Sequence, residues 1–140
     1  MANLTKDRNT LSLASTRTRG LTGPYGLAAN AKTYKGVMFS LDANGRVKDP
    51  ANGDNKVMGV HRLSLDNTGG ANDALKAEGY RGPHCFDAHG VHPPTVADIG
   101  KKGYASDNHT ISNTAADGCD AGIITNVDAS GVWIDVDPIA

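Results

Sequence analysis

Gly103-Tyr104-Ala105-Ser106-Asp107-Asn108-His109-Thr110-Ile111-Ser112, then Gly122-Ile123-Ile124-Thr125-Asn126-Val127-Asp128, then Gly131-Val132-Trp133-Ile134-Asp135-Val136 make up most of the last third of this chain. Each stretch sets a short apolar run beside turn formers such as Asp-Asn and Asp-Ala-Ser-Gly, which leaves little room for helices. The segment reads as a β-meander. On its final strand Trp133 points away from Val132 and Ile134, so one of the two faces is core. The single indole is assigned to the core side, with a contact surface as the alternative.

Working backwards, the same grammar continues. Thr33 to Leu41 alternates as a strand, with Val37, Phe39 and Leu41 expected on one face. Asp42-Ala43-Asn44-Gly45 is a hairpin turn, because Asn-Gly accepts the positive φ angles of a type I′ turn, and Arg46-Val47-Lys48 is the returning strand. Lys56 to Leu63 is the next strand. Ala74 to Glu78 is assigned to a strand leading into Gly79-Tyr80-Arg81-Gly82, because Gly79 would end a helix at once. Phe86 sits in a further short element. Thr95-Val96-Ala97-Asp98-Ile99-Gly100 is a helical or 3₁₀ turn with Thr95 as N-cap and Asp98 three residues on.

Residues 1–30 differ in character. Leu4, Leu11 and Leu13 are the main apolar points in a run of Ser, Thr, Asn and Arg, where Thr5, Asn9, Thr10, Ser12, Ser15 and Thr16 are weak helix formers in water, and Gly20, Gly23, Pro24 and Gly26 follow. The expected organisation is an extended N-terminal arm over 1–30 and a β-rich domain over 31–140. The fold class is all-β: a small sandwich or barrel with that arm.

The chain has 140 residues, enough for one domain with a modest core. Seventeen glycines put it well above the roughly 7% of average proteins, so it is turn-rich. A formal charge of −1 gives no overall basic field to draw nucleic acid. Charge is unevenly spread: Lys6, Arg8, Arg17, Arg19, Lys32 and Lys35 oppose only Asp7 in the first 35 residues, while the last third is rich in Asp. No window approaches the ~20 apolar residues of a membrane helix, and the start lacks the apolar core of a secretory signal. Synthesis in a cytosol follows, and with it Cys85 and Cys119 as free, buried or half-buried thiols rather than a bridge.

His84-Cys85-Phe86-Asp87-Ala88-His89-Gly90-Val91-His92 concentrates residue types that bind metals or move protons. His84, Cys85, His89 and His92 number enough for zinc, but their spacing matches no closed zinc module, so no metal or other cofactor is expected. A polar loop is the favoured assignment. Cys85 as a nucleophile would need a histidine brought in by the fold, because His84 and Cys85 point to opposite faces of a strand. Glu78 is the lone glutamate, and Asp135 and Asp137 lie at the C-terminal end where surface solubility explains them. No catalysis is expected.

The order of motifs resembles a known family. Leu4-Thr5-Lys6-Asp7-Arg8-Asn9-Thr10, Leu41-Asp42-Ala43-Asn44-Gly45, Val57-Met58-Gly59-Val60, Asp66-Asn67-Thr68-Gly69-Gly70-Ala71, Ile99 to Asp107, Gly122-Ile123-Ile124 and Gly131 to Val136 are similar to the small capsid cement, or decoration, proteins of tailed bacteriophages. The stretch from Gly79 to Pro94 departs from that family in its histidines. The resemblance implies a β-rich domain on the outside of an expanded shell, a trimer by preference or a dimer, clamping neighbouring major capsid proteins. The chain would be made in the bacterial cytoplasm and end on the virion exterior. Leu4, Leu11, Leu13, Arg17, Arg19 and Tyr25 are the expected contacts to capsid or neighbouring copies. The alternatives are a carbohydrate- or host-binding module on the virion surface, and a metal- or thiol-dependent enzyme centred on His84 to His92.

Overall fold

A computed structural model describes residues 2–12 and 20–138. The strands are β1 (Leu21–Gly26), β2 (Lys32–Thr33), β3 (Met38–Leu41), β4 (Val47–Lys48), β5 (Gly59–His61), β6 (Leu65–Asp66), β7 (Lys76–Tyr80), β8 (Gly82–Ala88), β9 (Lys102–Ala105), β10 (Thr110–Ser112), β11 (Cys119–Asp128) and β12 (Gly131–Val136). The helical segments among the described residues are two 3₁₀ turns, Val96–Asp98 and Ala115–Asp117. In the first, Thr95 N donates to Asp98 Oδ2 at 2.8 Å, as the spacing predicts. The chain is all-β.

Five strands close into a barrel in the order β10-β8-β12-β11-β9. The meander supplies β9 to β12, and closure comes from β8, which pairs antiparallel with β12 and parallel with β10. Phe86, Ile111, Ile124, Val132, Ile134 and Val136 fill the interior and are fully buried. Alternation along β12 therefore places Val132, Ile134 and Val136 inside and Trp133 outside, half-buried, correcting its assignment to the core. Asp128 holds the indole there: its Oδ2 accepts Trp133 Nε1 at 3.0 Å while Oδ1 accepts Ser130 N in the turn. A barrel this narrow has no room for an indole between three branched side chains of one strand.

The second sheet runs β1-β7-β5-β3-β4. It separates two apolar clusters. Met38 and Val60 join the barrel core, whereas Phe39, Ala77, Leu27 and Val47 pack on the other side. Both faces of β3 are thus buried: Phe39 and Leu41 share one side, as their alternation predicts, and the opposite side, through Met38, faces the barrel core. Room for the Phe39 ring is made by Gly79, where a Cβ would lie 2.5 Å from its Cε1. At the Asp42–Gly45 turn only Gly45 takes positive φ, at 75°; Gly45 N donates to Asp42 O, so the turn has a type I character with a left-handed glycine rather than type I′.

The body begins earlier than expected. Leu21 pairs with Tyr80 and Gly26 with Lys76, making β1 an edge strand of this sheet, and Leu27 is fully buried. Residues 21–30 therefore belong to the domain and not to an arm. Pro24 lies where the register shifts between Thr22 and Tyr25, an edge position that tolerates a missing N–H.

Candidate functional site

Strand β8 explains where the N-terminal segment goes. One edge of β8 is paired to β12 from Gly82 to Phe86, but β10 covers the other edge only at Asp87 and Ala88. Backbone groups at His84 and Cys85 would be left without partners on that side. Residues 11–12 fill the gap: Cys85 N donates to Leu11 O at 2.9 Å, and Ser12 bridges His84 antiparallel. Buried amides demand such pairing, and an extended segment meets the demand without needing helix propensity.

The rest of the segment is held by side chains. Arg8 Nη1 donates to Cys85 O at 2.9 Å, Nη2 reaches Asp87 Oδ1 at 3.2 Å, and the guanidinium lies 5.2 Å over the Phe86 ring. Arg8 N also donates to Lys35 O at 2.7 Å. Leu4 N donates to Asn108 Oδ1 at 2.9 Å, and Asn108 Nδ2 donates back to Leu4 O at 3.0 Å. Both ring nitrogens of His109 face acceptors, with Asp87 Oδ2 at 2.8 Å and Ala2 O at 2.9 Å. Burial alone would raise the Asp87 pKa, but His109 and the Arg8 guanidinium outweigh it and hold the carboxyl below its usual range.

The described part of the expected arm thus lies along its own body. Leu4 is half-buried there, and Tyr25 packs edge-on against Phe39 at 6.0 Å, so both serve the subunit that carries them. Leu11 remains 49% exposed. Leu13, Arg17 and Arg19 lie outside the described residues. Between segment and body sits a polar cavity of about 250 Å³ lined by Arg8, Lys35, His61, Tyr80 and His84 among others. His61 stacks on Phe39 at 4.3 Å, its Nδ1 is buried without a partner, and burial pushes its pKa down to about 4.

The histidine-rich stretch divides in two. His84 and Cys85 are buried in β8, and His84 Nδ1 lies 3.0 Å from Gly82 O. Burial raises the Cys85 thiol, and it pushes Cys119 to about 11, so neither is poised as a thiolate. Both cysteines are free, as the sequence predicts. Beyond β8, His89 and His92 come together with Asp117, all three offering ligand atoms within 4.8 Å of one another. His92 Nδ1 lies 2.7 Å from Asp117 Oδ2, and the Ser112 hydroxyl, followed by His92, holds the Asp117 carboxyl below its ordinary pKa. The four residues counted for zinc from spacing therefore do not converge. Asp117, 25 residues on from His92, had no sequence signal beyond its place after β10.

Three further expectations meet the structure. Asp135 and Asp137 are half-buried rather than exposed, with Arg81 Nη1 3.5 Å from Asp137 Oδ1. Glu78 lies 3.6 Å from Arg62 Nη1 in an exposed pair. Among the described residues no helix is long and apolar enough to cross a membrane. No protein-family model, no curated protein and no solved structure matches the chain.

Proposed function

We propose that this chain is a capsid decoration protein: it binds the outer surface of a tailed-phage head and bridges neighbouring major capsid protein subunits, acting as a homo-oligomer, a trimer by preference. The order of turn and strand motifs along the sequence supports this, and so does the body they build. A closed barrel with a filled core gives rigidity without help from a partner.

The observation that carries the proposal is a run of apolar side chains left outside that filled core. Val91, Val96 and Ile99 are 76%, 70% and 43% exposed, and all three lie on the single connection between β8 and β9. Placed on one connection, these three side chains offer apolar contacts to a partner. Leu11, on the segment that runs beside β8, adds a further apolar point. Repetition over a symmetric shell multiplies weak individual contacts by avidity, so a small patch per copy suffices.

The test is co-sedimentation of the purified chain with empty expanded heads and with unexpanded shells. Saturable binding to expanded heads, weakened by Val96→Asp, is the expected result. Absence of the chain from the pelleted heads at saturating concentration would sink the proposal. Selective binding in a glycan screen, with no shell binding, would favour the carbohydrate-binding alternative.

A further inference from the structure

We propose that His89, His92 and Asp117 form a binding site for a divalent transition-metal ion of the zinc class. The fold brings them together for structural reasons. His89 N donates to Ile111 O at 2.8 Å, extending the parallel β8–β10 pairing by one residue, and Gly90 then turns the chain. His92 O accepts Asn113 N at 3.1 Å, which ties the loop to the end of β10. The 3₁₀ turn that follows β10 delivers Asp117 to the same place, closed by Asp117 N donating to Thr114 O.

The donor set is two imidazoles and a carboxylate, the ligand chemistry of zinc sites that keep one position open. Asp117 Oδ2 lies 2.7 Å from His92 Nδ1 and 4.0 Å from His89 Nδ1, and the two rings are parallel within 10°, with centroids 5.8 Å apart. Bonds of about 2.0–2.2 Å to a tetrahedral ion put neighbouring ligand atoms about 3.4 Å apart. The observed spacings bracket that value. The ion would take the place of the proton between His92 and Asp117, widening the short edge while His89 closes the long one.

His89 supplies its lone pair in the correct form. Its Nδ1 accepts Val91 N at 3.1 Å and His92 N at 3.0 Å, so this nitrogen is the unprotonated one. A metal at Nδ1 displaces those two amides, which lie on an exposed loop where water takes them over; Nε2 would require a proton on Nδ1 facing two donors. The Ser112 hydroxyl donates to Asp117 Oδ2 at 2.5 Å and itself accepts Thr114 N at 3.0 Å, an outer layer of the kind that orients a ligating carboxylate. Solvent completes the coordination, because the His92 side chain is 45% exposed.

The experiment uses untagged full-length chain stripped with chelator and titrated with Co²⁺, followed by visible absorption, and with Zn²⁺ by calorimetry. The expected result is one equivalent bound at micromolar concentration, with Zn²⁺ displacing Co²⁺ and its d–d bands. Affinity should fall at least tenfold in Asp117→Asn and in His92→Ala. The latter changes an exposed loop residue, so its variant keeps the fold. No saturable binding below about millimolar metal, or binding equally strong in both variants, would overturn the site.

Discussion

Asn108 and Leu4 exchange a reciprocal pair of hydrogen bonds, Leu4 N to Asn108 Oδ1 at 2.9 Å and Asn108 Nδ2 to Leu4 O at 3.0 Å, so that a side-chain amide imitates one rung of a strand ladder. Asn108 is fully buried, and its Nδ2 also donates to Asp49 Oδ1 at 3.1 Å. The N-terminal segment is therefore clamped by the turn between β9 and β10, more than 100 residues away in sequence.

Replacing Asn108 with Ala removes both halves of that rung and leaves the Asp49 carboxylate without this donor. The expected cost is about 1–3 kcal/mol of unfolding free energy. Hydrogen exchange should quicken at Leu4 and Arg8 well before it does in β11 or β12. Unchanged protection at Leu4 in the Asn108→Ala variant would mean that the segment is held by something else.

Gly36 grips the same segment from the other side. Its φ is +88°, and a Cβ there would lie 1.9 Å from Arg8 O, a backbone atom with no freedom to rotate away. Gly36→Ala should therefore combine left-handed strain with expulsion of residues 8–10, giving a loss of about 2 kcal/mol or more. Denaturant unfolding and proteolytic cleavage near Arg8 check this. A variant as stable and as resistant as the parent would contradict the packing.

Much of the body was legible because its signals are local. The Asp128–Gly131 turn, the Thr95–Asp98 box and the apolar positions of β12 are each decided within a few residues. What escaped depends on contacts distant in sequence. Gly23-Pro24 reads as a breaker, yet Thr22 and Tyr25 still pair with β7 because the edge of that sheet accepts a bulge. The docking of Leu11 and Ser12 was invisible because the vacancy it fills on β8 arises from β10 beginning only at Thr110, opposite Asp87. Likewise nothing in the spacing of His89 and His92 pointed to Asp117, which arrives through the β8–β10 parallel pair.

The cysteines yield a third prediction. Cys85 and Cys119 are both buried, and burial raises both thiols, Cys119 to about 11. At pH 8 an aromatic disulfide reagent should label neither in the native state, and both once denaturant is added. Rapid stoichiometric labelling of Cys85 in folded protein would reopen the thiol-enzyme alternative.

His61 predicts how stability responds to acid. Burial beside Phe39 lowers its pKa from 6.5 to about 4, and burial also lowers that of His84, against opposing effects from Gly82 O and Asp135. A histidine kept neutral by the fold binds its proton more readily once unfolded, so the unfolded state gains protons first as pH falls. Stability should thus be undiminished by His61 above pH 6.5, decline between 6.5 and about 4, and be lower by about 3 kcal/mol once below both values. Carboxylates held low, such as Asp87, act only further down, from about pH 4. His61→Phe keeps an aromatic ring against Phe39 and also removes the unpartnered Nδ1, so the decline between pH 6.5 and 4 should be shallower than in the parent by the share that His61 contributes. Urea midpoints measured from pH 4 to 8 on both proteins decide the matter: parallel curves would show that His61 titrates normally and that the cavity beside it admits enough water to solvate the charge.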